Sequence, residues 1–160
     1  MIVRVSRALL AWLAGAALAH ALASVAHTQT VLAGLGALGV AVDPGERLAT
    51  TLGDFAGLWA YGLVLGLSLG LGLLVVRLVS RRPWTASGGT VRAALAGALA
   101  VAAALGAMRL AFSFSPIASA RGAGGFALQC LAGAAGGVAF RACLVGLRGR
   151  DPSGPGAASP

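Results

Sequence analysis

The sequence has few charged and reactive side chains. It contains no lysine, four acidic residues, two histidines, two cysteines and one tyrosine among its 160 residues. Charged residues make up 10% of the chain, whereas soluble domains carry about 25%. A water-soluble fold of this length could not bury the apolar surface of a composition that is 58% hydrophobic. The composition therefore excludes an ordinary soluble domain and favours an integral membrane protein.

The scarce residue types also exclude several kinds of site. Cys130 and Cys143 fall on one predicted helix about 20 Å apart, beyond disulfide reach, and are interpreted as small apolar fillers. The acidic residues provide no pair placed for hydrolytic work. Residues 34–39 match the letters of a dinucleotide-binding loop, but no strand precedes them and no crossover unit follows. We therefore expect no catalytic residues, no cofactor and no metal, and hence no enzyme.

The chain has long apolar runs instead, which are typical of membrane-spanning helices. A helix needs about 20 apolar residues to cross a hydrocarbon core of about 30 Å. We predict an all-α bundle of four transmembrane helices in one domain, residues 1–150. The tail, residues 151–160, is too poor in apolar residues to fold and is predicted to be disordered. The predicted spans cover residues 8–26, 55–79, 91–112 and 122–147.

The second span is predicted to be the helix around which the others pack. Gly62, Gly66 and Gly70 are spaced four apart and share one face, where a neighbouring backbone can approach closely. The fourth span repeats this spacing with Gly133 and Gly137, and both faces are expected to make tight helix contacts. Trp59 and Tyr61, near the start of the second span, fit an interfacial aromatic position.

Two alternatives remain open around the first span. Residues 8–26 follow a short basic start and could be a retained helix or a cleaved signal peptide. The length of the apolar run favours a retained helix, since signal peptides have apolar regions of about 7–15 residues. Residues 31–42 are apolar but too few to span, so we predict a short interfacial or re-entrant segment between the first two spans.

The twelve basic residues are all arginines and, with four acidic residues, give a net charge of +8. Their distribution along the chain predicts the orientation of the protein in the membrane. The positive-inside rule places both termini in the cytoplasm. The Ala-, Gly- and Leu-rich composition is typical of a GC-rich bacterial genome, so we predict a bacterial inner-membrane protein surrounded by lipid. Because the arginines lie at the span ends, they are assigned to membrane orientation, and no nucleic-acid partner is expected. One side collects Arg4, Arg7, Arg77, Arg81, Arg82, Arg92, Arg141, Arg148 and Arg150, and the other Arg47, Arg109 and Arg121 with Asp43, Glu46 and Asp54.

Several polar residues are predicted to lie together at the external ends of the spans. Ionisable groups at membrane depth are costly and usually pair or serve a function. Asp54 could pair with Arg109 or Arg121, or it could be a helix-start acid while the arginines snorkel to water. His20 and His27 could relay protons or bind metal, or make polar contacts between helices. The candidate cluster comprises His27, Gln29, Asp54, Arg109, Arg121 and Gln129.

The segment Pro-Ile-Ala-Ser-Ala-Arg at residues 116–121 precedes a glycine-rich helix with Gln129, and His27 and Gln29 follow the first span. In these features the chain resembles small bacterial inner-membrane proteins with four spans. The resemblance implies that architecture and carries no activity. We expect a non-catalytic accessory or assembly subunit that associates with itself or another membrane protein through its glycine-lined faces. The alternatives are a small oligomeric transporter or channel, and a lipid-modifying enzyme with His27 as base.

Overall fold

The helices follow the apolar runs of the sequence. The computed structural model describes residues 2–112 and 117–149, and over these ranges every regular element is helical. Four of the helices, α1, α3, α4 and α5, are long and apolar enough to cross a membrane. The predicted all-α, multi-pass membrane fold is therefore confirmed. The elements are α1 (Ile2–Ala37), α2 (Pro44–Gly57), α3 (Trp59–Ser80), α4 (Gly89–Phe112), a short 3₁₀ helix (Ala118–Arg121) and α5 (Ala123–Gly149).

The region between the first two spans differs from the prediction. Residues 31–37 continue α1 and do not form a separate segment. The first left-handed backbone conformation after the start of α1 is at Gly39, with φ +82°, two residues beyond the end of the helix. The intervening element is instead α2, which begins at Pro44, where the missing N–H interrupts no helical hydrogen bond. The predicted tail, residues 151–160, lies outside the described residues.

The second span begins four residues later than predicted because the regular helix is interrupted at Leu58. This residue ends α2 and precedes α3 with φ −85° and ψ 18°. Its N–H donates to the Asp54 carbonyl, and its own carbonyl accepts from the N–H of Gly62. Phe55 therefore belongs to α2, and backbone hydrogen bonding continues across this interruption.

The centre of the bundle is α5, and not the second span as the sequence suggested. It packs extensively against α1 and α4 and also touches α3. Gly136 of α5 meets Gly15 of α1 so closely that a Cβ on either would lie within 2.7 Å of the other's carbonyl oxygen. On another side of α5, Gly133 meets Gly97 of α4 in the same manner. Two helix backbones therefore approach α5 directly, the kind of packing that holds helices together in lipid.

The glycine face of α3 lies against α1. Trp12 of α1 lies over Gly66 and Gly70, and its indole Nε1–H donates to the Gly66 carbonyl at 2.9 Å. A Cβ on Gly62 would lie 2.7 Å from Nδ1 of His20. The opposite side of α3 exposes leucines, as a lipid-facing surface requires. These are Leu63, Leu67, Leu71 and Leu78, each between 59% and 69% exposed.

Candidate functional site

The polar residues that the sequence singles out lie near the end of the bundle where α1 ends and α5 begins. The centre of this region is Gln129, which is fully buried in α5. Its Oε1 accepts a hydrogen bond from the Tyr61 hydroxyl at 3.0 Å. Its Nε2 donates to the Ala23 carbonyl at 3.1 Å and to Ser119 Oγ at 3.2 Å. One side chain therefore connects α5 to α1, α3 and the 3₁₀ helix.

His27 joins this network through Ser119. Its Nδ1 lies 3.2 Å from Ser119 Oγ, the same atom that accepts from Gln129. A hydroxyl can accept one hydrogen bond while donating another, so Ser119 can donate to an unprotonated Nδ1. His27 and Gln129, both predicted site residues, are thus connected through a serine that sequence reasoning did not select.

Asp54 occupies a different position from the one predicted. It lies in the last turns of α2, and not at the start of a spanning helix. Its Oδ2 accepts a hydrogen bond from the hydroxyl of buried Thr28 at 2.7 Å. Arg109 is exposed in the last turn of α4, and Arg121 is exposed at the end of the 3₁₀ helix. Pairing of Asp54 with either arginine stays a prediction.

Gln29 helps to hold α2 against α1. Its Oε1 accepts from Arg47 Nη1 at 2.9 Å, and its Nε2 donates to the Thr51 hydroxyl at 3.4 Å. Arg47, Thr51 and Asp54 follow helical spacing, so the side of α2 facing α1 is polar. An apolar side remains exposed, with Leu48, Leu52 and Phe55 between 47% and 63% accessible. This amphipathic helix suits a membrane interface.

His20 lies apart from this network and contacts the end of α2. Its Nε2 is 3.1 Å from the Phe55 carbonyl, and its ring lies 4.9 Å from the Phe55 ring. Carbonyls in the last turn of a helix lack partners within the helix, so His20 caps α2 when Nε2 is protonated. His20 Nδ1 and the Ser24 hydroxyl are buried with no hydrogen-bond partner among the described residues.

The two histidines therefore serve different contacts. Over residues 2–112 and 117–149, no three His, Cys, Asp or Glu side chains are grouped as a metal site. The polar side chains of this region form hydrogen bonds that connect neighbouring helices. Sequence reasoning missed Tyr61 and Ser119 as partners of Gln129. The available signal was Gln129 itself, because a lone amide within a spanning helix needs partners on its neighbours.

The chain was compared with protein-family models, curated proteins and solved structures. No protein-family model, curated protein or solved structure matches this chain.

Proposed function

We propose that the chain is a non-catalytic accessory or assembly subunit of a bacterial inner membrane. The observation that supports this is the use of Gln129, whose amide atoms are bonded to Tyr61, Ser119 and the Ala23 carbonyl. The largest fully buried polar side chain of the described residues thus holds helices together, a structural role. Four closely packed helices with exposed apolar outer surfaces form a unit suited to contacts within the membrane.

The proposal is tested by isolating the tagged chain from its native membrane in a mild detergent. An accessory subunit is expected in a complex with a second polypeptide at fixed stoichiometry. Deleting the gene should lower the membrane level of that polypeptide, and the wild-type chain should restore it. Recovery of the chain alone, with no other membrane protein changed in the deletion strain, would contradict the proposal.

A second candidate function is a small transporter or channel acting as an oligomer. It is favoured by the stripe of polar residues along α1, in which Thr28 bonds Asp54, and His20 and Ser24 carry buried atoms with no partner in the part of the chain that the structure describes. Such a stripe could offer polar contacts to a solute crossing between copies. Flux of an ion or solute into liposomes, abolished by Asp54→Ala, would favour this function over the accessory role.

We further propose that both termini lie in the cytoplasm. The bundle end formed by the α3–α4 loop carries more arginines than the opposite end, where all three described acidic residues lie. The test replaces Cys130 and Cys143 with serine and introduces one new cysteine, either Gly45→Cys or Ser87→Cys. An impermeant thiol reagent on intact cells should label only the first variant, and labelling of only the second would reverse the orientation.

A further inference from the structure

An apolar groove opens at the arginine-rich end of the bundle, between α1 and α3. Its volume is about 270 Å³, which corresponds to roughly nine water molecules at liquid density. That space accommodates part of one hydrocarbon chain. Among the residues whose side chains the structure describes, Arg77 is the charged residue that lines it. The apolar walls include Trp12, Leu73, Leu74, Trp84 and Phe140.

The two tryptophans of this groove are held in place by the bundle. The Trp12 indole is bonded to the Gly66 carbonyl. Trp84 is buried, its ring meets Phe140 edge-on at 5.7 Å, and its carbonyl accepts from Arg141 Nε at 2.9 Å. These contacts within the bundle fix the positions of both tryptophans in the walls of the groove.

Over residues 2–112 and 117–149, the charge around the groove is positive and no acidic residue lies near it. Arg92 donates to the Pro83 carbonyl at 3.0 Å, the Ser80 hydroxyl at 3.3 Å and the Arg82 carbonyl at 3.5 Å, so its bonds to described residues reach only groups that carry no net charge. Three exposed arginines lie at the end of α3: Arg77 in its last turn, and Arg81 and Arg82 directly after the helix. The described acidic residues, Asp43, Glu46 and Asp54, all lie in or next to α2 at the other end of the bundle.

We propose that this groove binds one acyl chain of an anionic phospholipid, with the lipid phosphate at Arg77. A guanidinium binds phosphate through paired N–H donors. Basic pockets between membrane helices suit anionic head groups, and each nearby arginine strengthens the attraction. Arg81 and Arg82 add positive charge next to Arg77. The inference depends on neither the accessory role nor the orientation proposed above.

The experiment uses the two groove tryptophans as reporters. In the full chain carrying Trp59→Phe, the remaining tryptophans are Trp12 and Trp84, so quenching by acyl-brominated lipid reports occupancy of the groove. Brominated phosphatidylglycerol in detergent micelles should quench at a mole fraction about fivefold lower than brominated phosphatidylcholine. Arg77→Gln should remove this preference, whereas the matched control Arg109→Gln, at the other end of the bundle, should retain it.

A second variant tests the hydrocarbon part of the site. Ala8 is exposed and lines the groove, so Ala8→Phe should obstruct it and reduce quenching by both lipids without changing thermal unfolding. Equal quenching by the two lipids in the Trp59→Phe protein would overturn the proposal. So would an unchanged preference in Arg77→Gln. Displacement of brominated phosphatidylglycerol by millimolar inorganic phosphate would assign the site to a soluble anion and also overturn it.

Discussion

Gly97 of α4 and Gly133 of α5 lie so close that a Cβ built on either would overlap the other's carbonyl group. No side chain separates the two backbones at this point. Lipid removes most of the hydrophobic drive for helices to associate, so close backbone contact of this kind supplies much of the attraction between them. The contact lies on the central helix and therefore concerns the stability of the whole bundle.

We expect Gly133→Ala to destabilise the protein by about 1–3 kcal/mol, the usual cost of overpacking a close contact. The added methyl group would meet the Gly97 carbonyl oxygen and the Val101 side chain, each 2.5 Å away in the present geometry. α4 and α5 must then move apart. The measurement is the free energy of unfolding by SDS in mixed micelles.

Gly146→Ala is the matched control on the same helix, because a Cβ at Gly146 meets nothing within 4 Å. Alanine has a higher helix propensity than glycine, so this change should be neutral or stabilise by up to about 1 kcal/mol. Equal unfolding free energies for the two variants would show that the close approach of α4 and α5 contributes little.

The presence of four apolar helices could be predicted because helix length and hydropathy are local properties. The limits of the first span were not, since α1 continues to Ala37, 11 residues beyond the predicted end at residue 26. The spacing of Gly62, Gly66 and Gly70 is local in the same way. The pairing of helices is not: which residue meets Gly133 or Gly136 depends on how the bundle assembles. For this reason the sequence pointed to the second span as the centre, whereas α5 lies between α1 and α4.

The polar site shows the same limit. Position near a span end made Tyr61 resemble an interfacial aromatic, but its side chain is 6% exposed and its hydroxyl bonds Gln129. The sequence gives the depth of Tyr61 but not the face of α3 on which it lies. The sequence predicts Asp54 at the start of a span because the helix interruption at Leu58 has no Pro or Asn to signal it.

The Tyr61–Gln129 hydrogen bond should contribute measurably to stability. Tyr61→Phe removes the donor while keeping the ring, and should cost about 0.6 kcal/mol, the average for hydrogen bonds between membrane helices, with an upper limit of about 1.7 kcal/mol. Gln129→Leu should cost more, because it also leaves the Ala23 carbonyl without its Nε2 donor. The double variant should lower the free energy of unfolding by less than the sum of the two single-variant costs. Strict additivity would show that the bond contributes nothing.

Two glycines on the same face of α3 should respond differently to alanine. A Cβ on Gly70 would lie 2.9 Å from Trp12 Nε1, so Gly70→Ala must displace the indole and weaken its bond to the Gly66 carbonyl. A Cβ on Gly66 would be 3.5 Å from Ala16, an ordinary contact. We expect Gly70→Ala to lower the free energy of unfolding by about 1–3 kcal/mol and Gly66→Ala to leave it unchanged or raise it. The reverse order would contradict the position of Trp12.

The hydrogen bond from Thr28 to Asp54 should hold α2 against α1. Thr28→Val keeps the shape of the buried side chain but removes the donor to Asp54. Because α2 has no buried residues of its own, few other contacts replace this bond. Hydrogen exchange measured by mass spectrometry should therefore become several-fold faster in α2, while exchange in α5 stays unchanged.

Thr50→Val is the matched control for this change, since the Thr50 hydroxyl bonds the Glu46 carbonyl within α2 itself. It removes a threonine hydroxyl without affecting a contact between helices, so α2 should exchange at the wild-type rate. Equal acceleration by both variants would mean that α2 opens independently of α1. In that case the hydrogen bonds that Gln29 accepts from Arg47 and donates to Thr51 would not hold it either, and the polar side of α2 would be exposed to water.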